Sequence, residues 1–285
     1  MTKTIKLVAI DLDGTLLDGT HTLPRENAEA VCAAVERGVE VAIVTGRRFD
    51  FAMLVAREIP CALTMIVNNG ALVKDKQRAT FLRKLLGVET ARRVLASAAA
   101  HRDAAMVMFD RARERQVVLE KIDWEDPVRK GYFERNREYL AEVSPIESCL
   151  DEDPIQVMYA GGVERMRALH AGLKGQEWAG EFSLALTEYE ERDFSLVDVI
   201  GPGVSKGATL AQWAAQRGYA RAEVMAIGDN WNDREMLEFA GVPVIMGNAA
   251  ASLKQFGWTE TASNDEAGVA RAIEKFVLDG SRAAG

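Results

Sequence analysis

The chain predicts an α/β fold, a Rossmann-like parallel-sheet core with an inserted α+β module. Three observations predict it. Short apolar runs alternate with helical periodicity from Lys6 to about Gly70. The same alternation resumes near Asp193 and runs toward the C-terminus. Between these segments, adjacent apolar runs break the rhythm of one strand followed by one helix.

The first strand is "KLVAI", a continuous apolar run of the kind buried on both faces of a parallel sheet. "LPRENAEAVCAAVERG" is a helix. Pro24 suits its start, Ala28, Val31, Cys32 and Val35 share one face, and Gly38 ends it. "VEVAIVTG" is a strand ending at Thr45, "RRFDFAMLVAREI" a helix and "LTMIVNNGA" a third strand. Strands joined through helices pair in parallel. In the middle, "AAMVMFD" and "RQVVLEKI" read as neighbouring strands, followed by the helix "RKGYFERNREYLAEV". "PIQVMYAG" and "EFSLALTEY" are strands around the helix "VERMRALHAGL". The last part reads strand "FSLVDVIG", helix "SKGATLAQWAAQRG", strand "AEVMAIGD", helix "NDREMLEFAG", strand "VPVIMG" and helix "SNDEAGVARAIEKFVL". Ser263 and Glu266 have capping-box spacing. The expected domains are a core of residues 1–82 and 193–285 and an insertion of residues 83–192.

Bulk properties narrow the function. A net charge of −8 argues against nucleic acid as the partner, since phosphate backbones call for a basic stripe. Phosphorylated small molecules need only a local positive site. Cys32, Cys61 and Cys149 have neither metal nor redox spacing, and the three histidines form no ligand motif. "MTKTIKLVAIDLD" meets charge before any apolar leader segment forms, and no run has the length of a membrane span. These features predict a cytoplasmic protein.

The chemistry gathers where strands end. Ligands of open parallel sheets bind at the carboxyl ends of the strands. "LVAI" is followed by Asp11 and Asp13 on alternate residues, which a continuing strand would place on one face roughly 6.6 Å apart. The second strand delivers Thr45 and Gly46, "FSLVDVIG" leads to Lys206, and "GDNWND" supplies Asp229, Asn230, Asn232 and Asp233. Asp11, Asp13 and Asp229 in one crevice would repel one another, and a hard divalent cation such as Mg²⁺ removes that repulsion. Lys206 opens a helix, where the macrodipole disfavours a cation unless a phosphate also binds there. A carboxylate beside a cation and a phosphate can act as a nucleophile, with a second carboxyl as acid and base.

Competing motifs fail on their own terms. "GVSKG" fits G-x-S-x-G, but no histidine follows His170 to complete a hydrolase triad. "GPGVSKG" has neither dinucleotide-fingerprint nor Walker spacing. "DLDGTLLDGTHT" places glycine at the fourth position of a would-be calcium loop, where the sixth is required.

"DLDGTLLD", "VTGRR", "VNNGA", "SKGATL", "GDNWNDREML" and "VIMGNA" together resemble the haloacid dehalogenase superfamily, most nearly its Cof-type phosphatase branch. The resemblance implies a Mg²⁺-dependent phosphatase of small phosphorylated metabolites, sugar phosphates first among them, working through an aspartyl phosphate. It implies Asp11 as nucleophile and metal ligand, Asp13 as acid/base with its backbone carbonyl on the metal, and Asp229 as a further ligand. Thr45, Lys206 and Asn232, with the backbone N–H groups of Leu12 and Gly46, would hold the phosphate. Asn69, Gly70, Asn230 and Asp233 would support the site. The insertion resembles a type C2 cap, and Arg111, Arg113, Arg115, Lys121 and Arg129 are candidates there for reading the substrate. Two rival readings are a phosphomutase on the same scaffold and a non-catalytic sensor of a phosphorylated metabolite. The sensor fits poorly, because Asp11 and Asp13 are both retained.

Overall fold

The computed structural model describes residues 4–127 and 129–279. The backbone forms two compact units, one built from the segments up to Arg83 and from Ser205 onward, the other spanning Lys84–Val204.

In chain order, the first unit begins with β1 (Leu7–Ile10), α1 (Arg25–Glu36), β2 (Glu40–Val44), α2 (Phe49–Ala56), β3 (Thr64–Val67), β4 (Leu72–Asp75) and β5 (Thr80–Arg83). The second unit contains α3 (Val88–Ser97), β6 (Ala105–Met108), β7 (Val117–Leu119), α4 (Lys130–Asn136), β8 (Leu140–Glu142), β9 (Gln156–Gly161), α5 (Val163–Lys174), β10 (Ser183–Tyr189) and β11 (Phe194–Ile200). The chain then returns with α6 (Lys206–Gln216), β12 (Val224–Gly228), α7 (Arg234–Phe239), β13 (Val242–Ile245), α8 (Ala251–Lys254), β14 (Thr259–Glu260) and α9 (Gly268–Ile273).

The first unit's sheet runs β14-β13-β12-β1-β2-β3-β4-β5. Its strands from β14 to β3 are parallel, and β1 lies between β12 and β2 with Ile10 level with Ile227 and Ile43. All four residues of β1 are buried, which is why this strand reads as one apolar run. Leu7 and Ala9 face a core shared with Leu210 and Trp213 of α6 and Met236 and Leu237 of α7. Asn27 of α1 donates to the Leu16 carbonyl and accepts from the Ala270 N–H of α9, fixing these two helices to the loop after β1. The parallel strands therefore end side by side, and the loops after β1, β2, β3 and β12 share one edge.

"FSLVDVIG", read as the strand that resumes the core, is β11, and it pairs antiparallel with β10 and β9 in the second unit's sheet, β10-β11-β9-β6-β7-β8. The break expected at residues 192/193 falls at 204/205. The reason is local. Only residues 190–193 separate β10 from β11, and Asp193 takes the left-handed conformation that closes a tight reversal. So short a connection makes an antiparallel neighbour, whereas a return to a parallel sheet needs a long crossover. The sequence reading also stopped the first sheet at β3 and missed the antiparallel hairpin β4–β5 at its edge. Predicted helices were shortened in places. "RKGYFERNREYLAEV" supplies α4 and then β8. Glu266 accepts the Ser263 N–H as the capping box requires, but Ala267 in left-handed conformation delays α9 to Gly268.

In the second unit, Tyr159 lies fully buried among Val107, Val157, Leu169 and Val197. Its hydroxyl has no hydrogen-bond partner among the described residues. Deleting an unsatisfied buried hydroxyl is neutral to stabilising, so Tyr159→Phe should raise the unfolding free energy by up to about 1 kcal/mol, measured by urea denaturation.

Candidate active site

β1 ends at Ile10, and its next residue continues the ladder for one bond as the Asp11 N–H donates to the Ile227 carbonyl at 3.0 Å. The chain then curls, with Leu17 N–H donating to the Leu12 carbonyl. Strand periodicity does not extend to Asp13, so the two acids reach different partners.

Asp11 meets Lys206. The lysine is the first residue of α6, and its Nζ donates to Asp11 Oδ1 and to Asp233 Oδ1, both at 2.6 Å. Its side chain is 1 % exposed and that of Asp233 0 %. Asp233 Oδ2 also accepts the N–H groups of Asp229 and Asn230, each at 3.0 Å, so both its oxygens are committed to shaping the β12–α7 loop. Asp229 sits at the end of β12, and its Oδ1 accepts the Thr15 hydroxyl at 2.7 Å. One oxygen from each of Asp11, Asp229 and Asp233 lies within 4.8 Å of the others. Gly14, at φ +82°, makes this possible on the β1 side, since a Cβ there would come within 2.5 Å of Asp229 Oδ2.

The charges confirm the crowding. Burial, then the Asp233 charge, push the Asp11 carboxyl from 3.8 up to about 7 despite Lys206. Burial, then Asp11 and Asp233, raise Asp229 well above the ordinary carboxylate range. Burial alone would lower Lys206, but Asp11 and Asp233 outweigh it and hold the ammonium above its ordinary value. Oxygen-only donors of this kind match a hard divalent cation. With Asp233 committed, Asp11 and Asp229 are the carboxylates left to face one.

Asp13 belongs to a different arrangement. Arg47 Nε donates to Asp13 Oδ2 at 2.8 Å and Nη2 to Oδ1 at 2.6 Å, while His21 Nδ1 lies 3.4 Å from Oδ1. Burial pushes the Asp13 carboxyl up, but the His21 and Arg47 hydrogen bonds prevail and hold it well below its ordinary range. Its carboxylate is therefore not one of the clustered three: the sequence crowds Asp11, Asp13 and Asp229 together, whereas the structure puts Asp233 in the place expected for Asp13.

The neighbouring strand ends supply the rest. Thr45, after β2, is buried, its N–H on the Ile66 carbonyl. After β3, Asn68 and Asn69 adopt left-handed φ values of 51° and 52°, a conformation asparagine tolerates. The Asn69 N–H donates to the Thr45 carbonyl, and Asn232 Nδ2 reaches Asn69 Oδ1 at 3.5 Å. Gly46 packs directly against the Asn69 amide. Gly70, at φ +102°, lets α6 approach, since a Cβ would lie 2.4 Å from the Ser205 carbonyl oxygen. The Gly70 carbonyl accepts Thr209 Oγ1 of α6 at 2.9 Å. Ser205 caps α6 by accepting the Ala208 N–H, which fixes the start of the helix and hence Lys206. Leu12 is buried between the two acids.

Asp11, Asp229, Asn230 and Asp233 thus connect through Lys206, and Thr45, Asn69 and Asn232 form a second set on the neighbouring loops of the first unit, beside Gly70. Lys206 stands at the helix start expected for it, but the strand that leads to it belongs to the second unit's sheet and not to the core. The sequence reading missed Arg47, Thr15 and His21. Arg47 and Thr15 stand inside "VTGRR" and "DLDGT", where position beside the site was the available signal; nothing in the sequence pairs His21 with Asp13. Of the suggested readers in the second unit, Arg111 is engaged by Asp151 and Glu152, Arg113 by Glu138 and Arg129 by Asp126.

Buried acids at the carboxyl edge of a parallel sheet, held by a buried lysine, define a hydrolase-type α/β site. The family model described as haloacid dehalogenase-like hydrolase matches residues 8–273, and the chain belongs to that family. It is 29 % identical over 274 residues to a 5-amino-6-(5-phospho-D-ribitylamino)uracil phosphatase of Bacillus subtilis, covering 96 % of each chain. It is 29 % identical over 249 residues to the HMP-PP phosphatase of Serratia proteamaculans, covering 87 % of this chain and 86 % of that one. Among solved structures, a haloacid dehalogenase-like hydrolase from B. subtilis superposes with a TM-score of 0.80 at 25 % identity, covering 95 % of this chain and 99 % of that one. With such relatives in this family, the chain is a phosphoric monoester hydrolase. No helix among the described residues is long and apolar enough to cross a membrane.

Two outcomes are expected. Gly70→Ala should cost about 2 kcal/mol of stability through backbone strain and also lower activity, because α6 and Lys206 must shift; thermal melts and phosphate-release assays check this. A carboxyl raised from 3.8 to about 7 favours the fold fully below about 3.8 and loses that contribution as pH rises through about 7. Added Mg²⁺ should therefore raise the melting temperature more at pH 8 than at pH 5, where protons compete for the same oxygens.

Proposed function

We propose that the chain hydrolyses small phosphorylated metabolites, sugar phosphates foremost, with Mg²⁺ and through an aspartyl phosphate on Asp11. The observation that carries the reading is the buried Lys206 bridge between Asp11 and Asp233, with Asp229 in the same cluster. Asp11 and Asp229, with the Asp13 backbone carbonyl, are the residues that would hold the cation. When bound, Mg²⁺ supplies positive charge against the oxygens of the transferring group.

The chain's own residues do the rest. Lys206, Thr45 and Asn232, with the N–H groups of Leu12 and Gly46, hold the phosphoryl oxygens. Lys206 also orients Asp11 and opposes, without cancelling, the pull of burial on its charge. Asp13, ionised in the free site, takes up a proton as the negatively charged phosphoryl group binds beside it; an Asp11 oxygen then attacks phosphorus, the bond to the leaving oxygen breaks, and that oxygen takes this proton. Water then gives a proton to Asp13 as its oxygen attacks phosphorus, which releases inorganic phosphate and restores Asp11. Asn69, Gly70, Asn230 and Asp233 keep the loops in register.

All these residues lie in the first unit and handle only the phosphoryl group. The second unit, interposed between β5 and α6, is the proposed cap that reads the rest of the substrate. The names of the relatives, which include phosphatases of a ribityl-phosphate compound and of HMP-PP, support a small metabolite.

A panel of phosphorylated metabolites, assayed for free phosphate, tests the reading. Hydrolysis should stop on chelation and return with Mg²⁺. Asp11→Asn should abolish turnover, and Asp13→Asn should lower it by about 10²-fold or more. Activity that survives chelation or Asp11→Asn rules out this mechanism. An isomeric phosphate ester in place of free phosphate identifies a mutase.

A further inference from the structure

The acid assigned to the leaving group is gripped by a residue that no part of the reading above uses. Arg47 presents two N–H groups side by side to Asp13, one to each carboxylate oxygen, at 2.8 and 2.6 Å. A guanidinium fork on a carboxylate fixes its plane as well as its place. Arg47 is itself held from several directions. Its guanidinium lies 4.5 Å over the Phe51 ring. Its N–H donates to Thr45 Oγ1 at 3.1 Å, and its carbonyl accepts the Asn68 N–H at 2.9 Å. Its side chain is 12 % exposed, so it is no waving surface arginine. These anchors tie it to the loops after β2 and β3, which carry phosphate-holding groups of the proposed site. Asp13 stands in an irregular loop beyond the last residue of β1, and no strand ladder sets its direction.

We propose that Arg47 is the positioning residue for Asp13, aiming its carboxyl at the oxygen that leaves phosphorus. The proposal rests on the acid/base reading of Asp13. Oδ1 takes one N–H of the fork and also faces His21 Nδ1 at 3.4 Å, so Oδ2, with one N–H of the fork, is the oxygen whose second lone pair can carry the proton for the leaving oxygen or take one from water. Arg47 acts through Asp13, so its loss should matter in proportion to the help the leaving group needs. A nitrophenolate departs with little protonation, whereas a phenolate or alkoxide needs the proton.

The test uses the full chain and a series of aryl phosphates from p-nitrophenyl through phenyl to p-methoxyphenyl phosphate. The readout is kcat/KM, which includes leaving-group departure but not the later water step. Arg47→Ala should leave p-nitrophenyl phosphate within about threefold of wild type and lower the phenyl and p-methoxyphenyl esters at least about tenfold further, as weakened general-acid catalysis does. Added guanidinium should restore part of the loss. Arg47→Lys keeps the charge without the fork, and should show the same steepened leaving-group dependence in a protein that melts like wild type. An equal loss across the series, carried by KM, would mean that Arg47 binds the phosphoryl group instead and overturns the proposal, as would an unchanged series. Asp13→Asn separates the two claims. If its leaving-group dependence stays that of wild type, the acid/base reading itself fails. If it steepens while both Arg47 variants do not, only the role of Arg47 fails.

Discussion

An ammonium shut away from water between two carboxylates governs this structure. Taking such ions out of water costs several kcal/mol each, and their attraction offsets that cost only where geometry is tight and further hydrogen bonds complete the shell. Here both contacts are 2.6 Å, and Asp233 satisfies its other oxygen with two loop N–H groups. The bridge ties the start of α6 to Asp11, just past β1, and to Asp233 in the β12–α7 loop, 195 and 27 residues away from Lys206 along the chain. The lysine stands at the positive end of a helix dipole, an unfavourable place for a cation taken alone. Its two carboxylates, and a phosphate when one binds, make that position favourable.

The cluster is also a charge imbalance by design. Asp11, Asp229 and Asp233 gather around one lysine, and burial first, with the neighbouring carboxylates second, raises Asp11 and Asp229 above their ordinary range. A site left in this condition stores affinity for positive charge. Asp13, two residues from Asp11, is tuned in the opposite direction by Arg47 and His21. Two acids that are near neighbours in sequence thus differ in partner, in direction of shift and in proposed task, one as nucleophile and the other as proton carrier.

Much of the site was legible because its residues follow strand ends. Asp11, Thr45, Asn69 and Asp229 each stand just past an apolar run, and parallel topology brings those ends to one edge. The place of Asp13 beside the site was legible but not its direction, because the strand periodicity that suggested a shared face stops at Ile10. The Arg47 fork crosses 34 residues and the His21 contact depends on the fold of a loop, so neither has a periodic signature. In the middle of the chain, "FSLVDVIG" carries the same apolar signal whichever sheet it joins. The tight reversal at Asp193 made it an antiparallel partner of β10 and moved the unit boundary past it.

By itself the sequence determined the α/β class, the order of β1, β2, β3, β12 and β13 and the helices between them, the positions of the acids and of Lys206, and the kind of chemistry they could serve. Those properties follow from local patterning and from residue type, which the chain carries before it folds. Tertiary structure decided which charges meet. The Lys206 bridge, the commitment of Asp233, the separation of Asp13 from the cluster and the sheet that claims β11 all depend on contacts between segments far apart in the chain. Such contacts are chosen by packing and by the cost of burying unpaired charge, and neither quantity is written in the neighbourhood of any single residue.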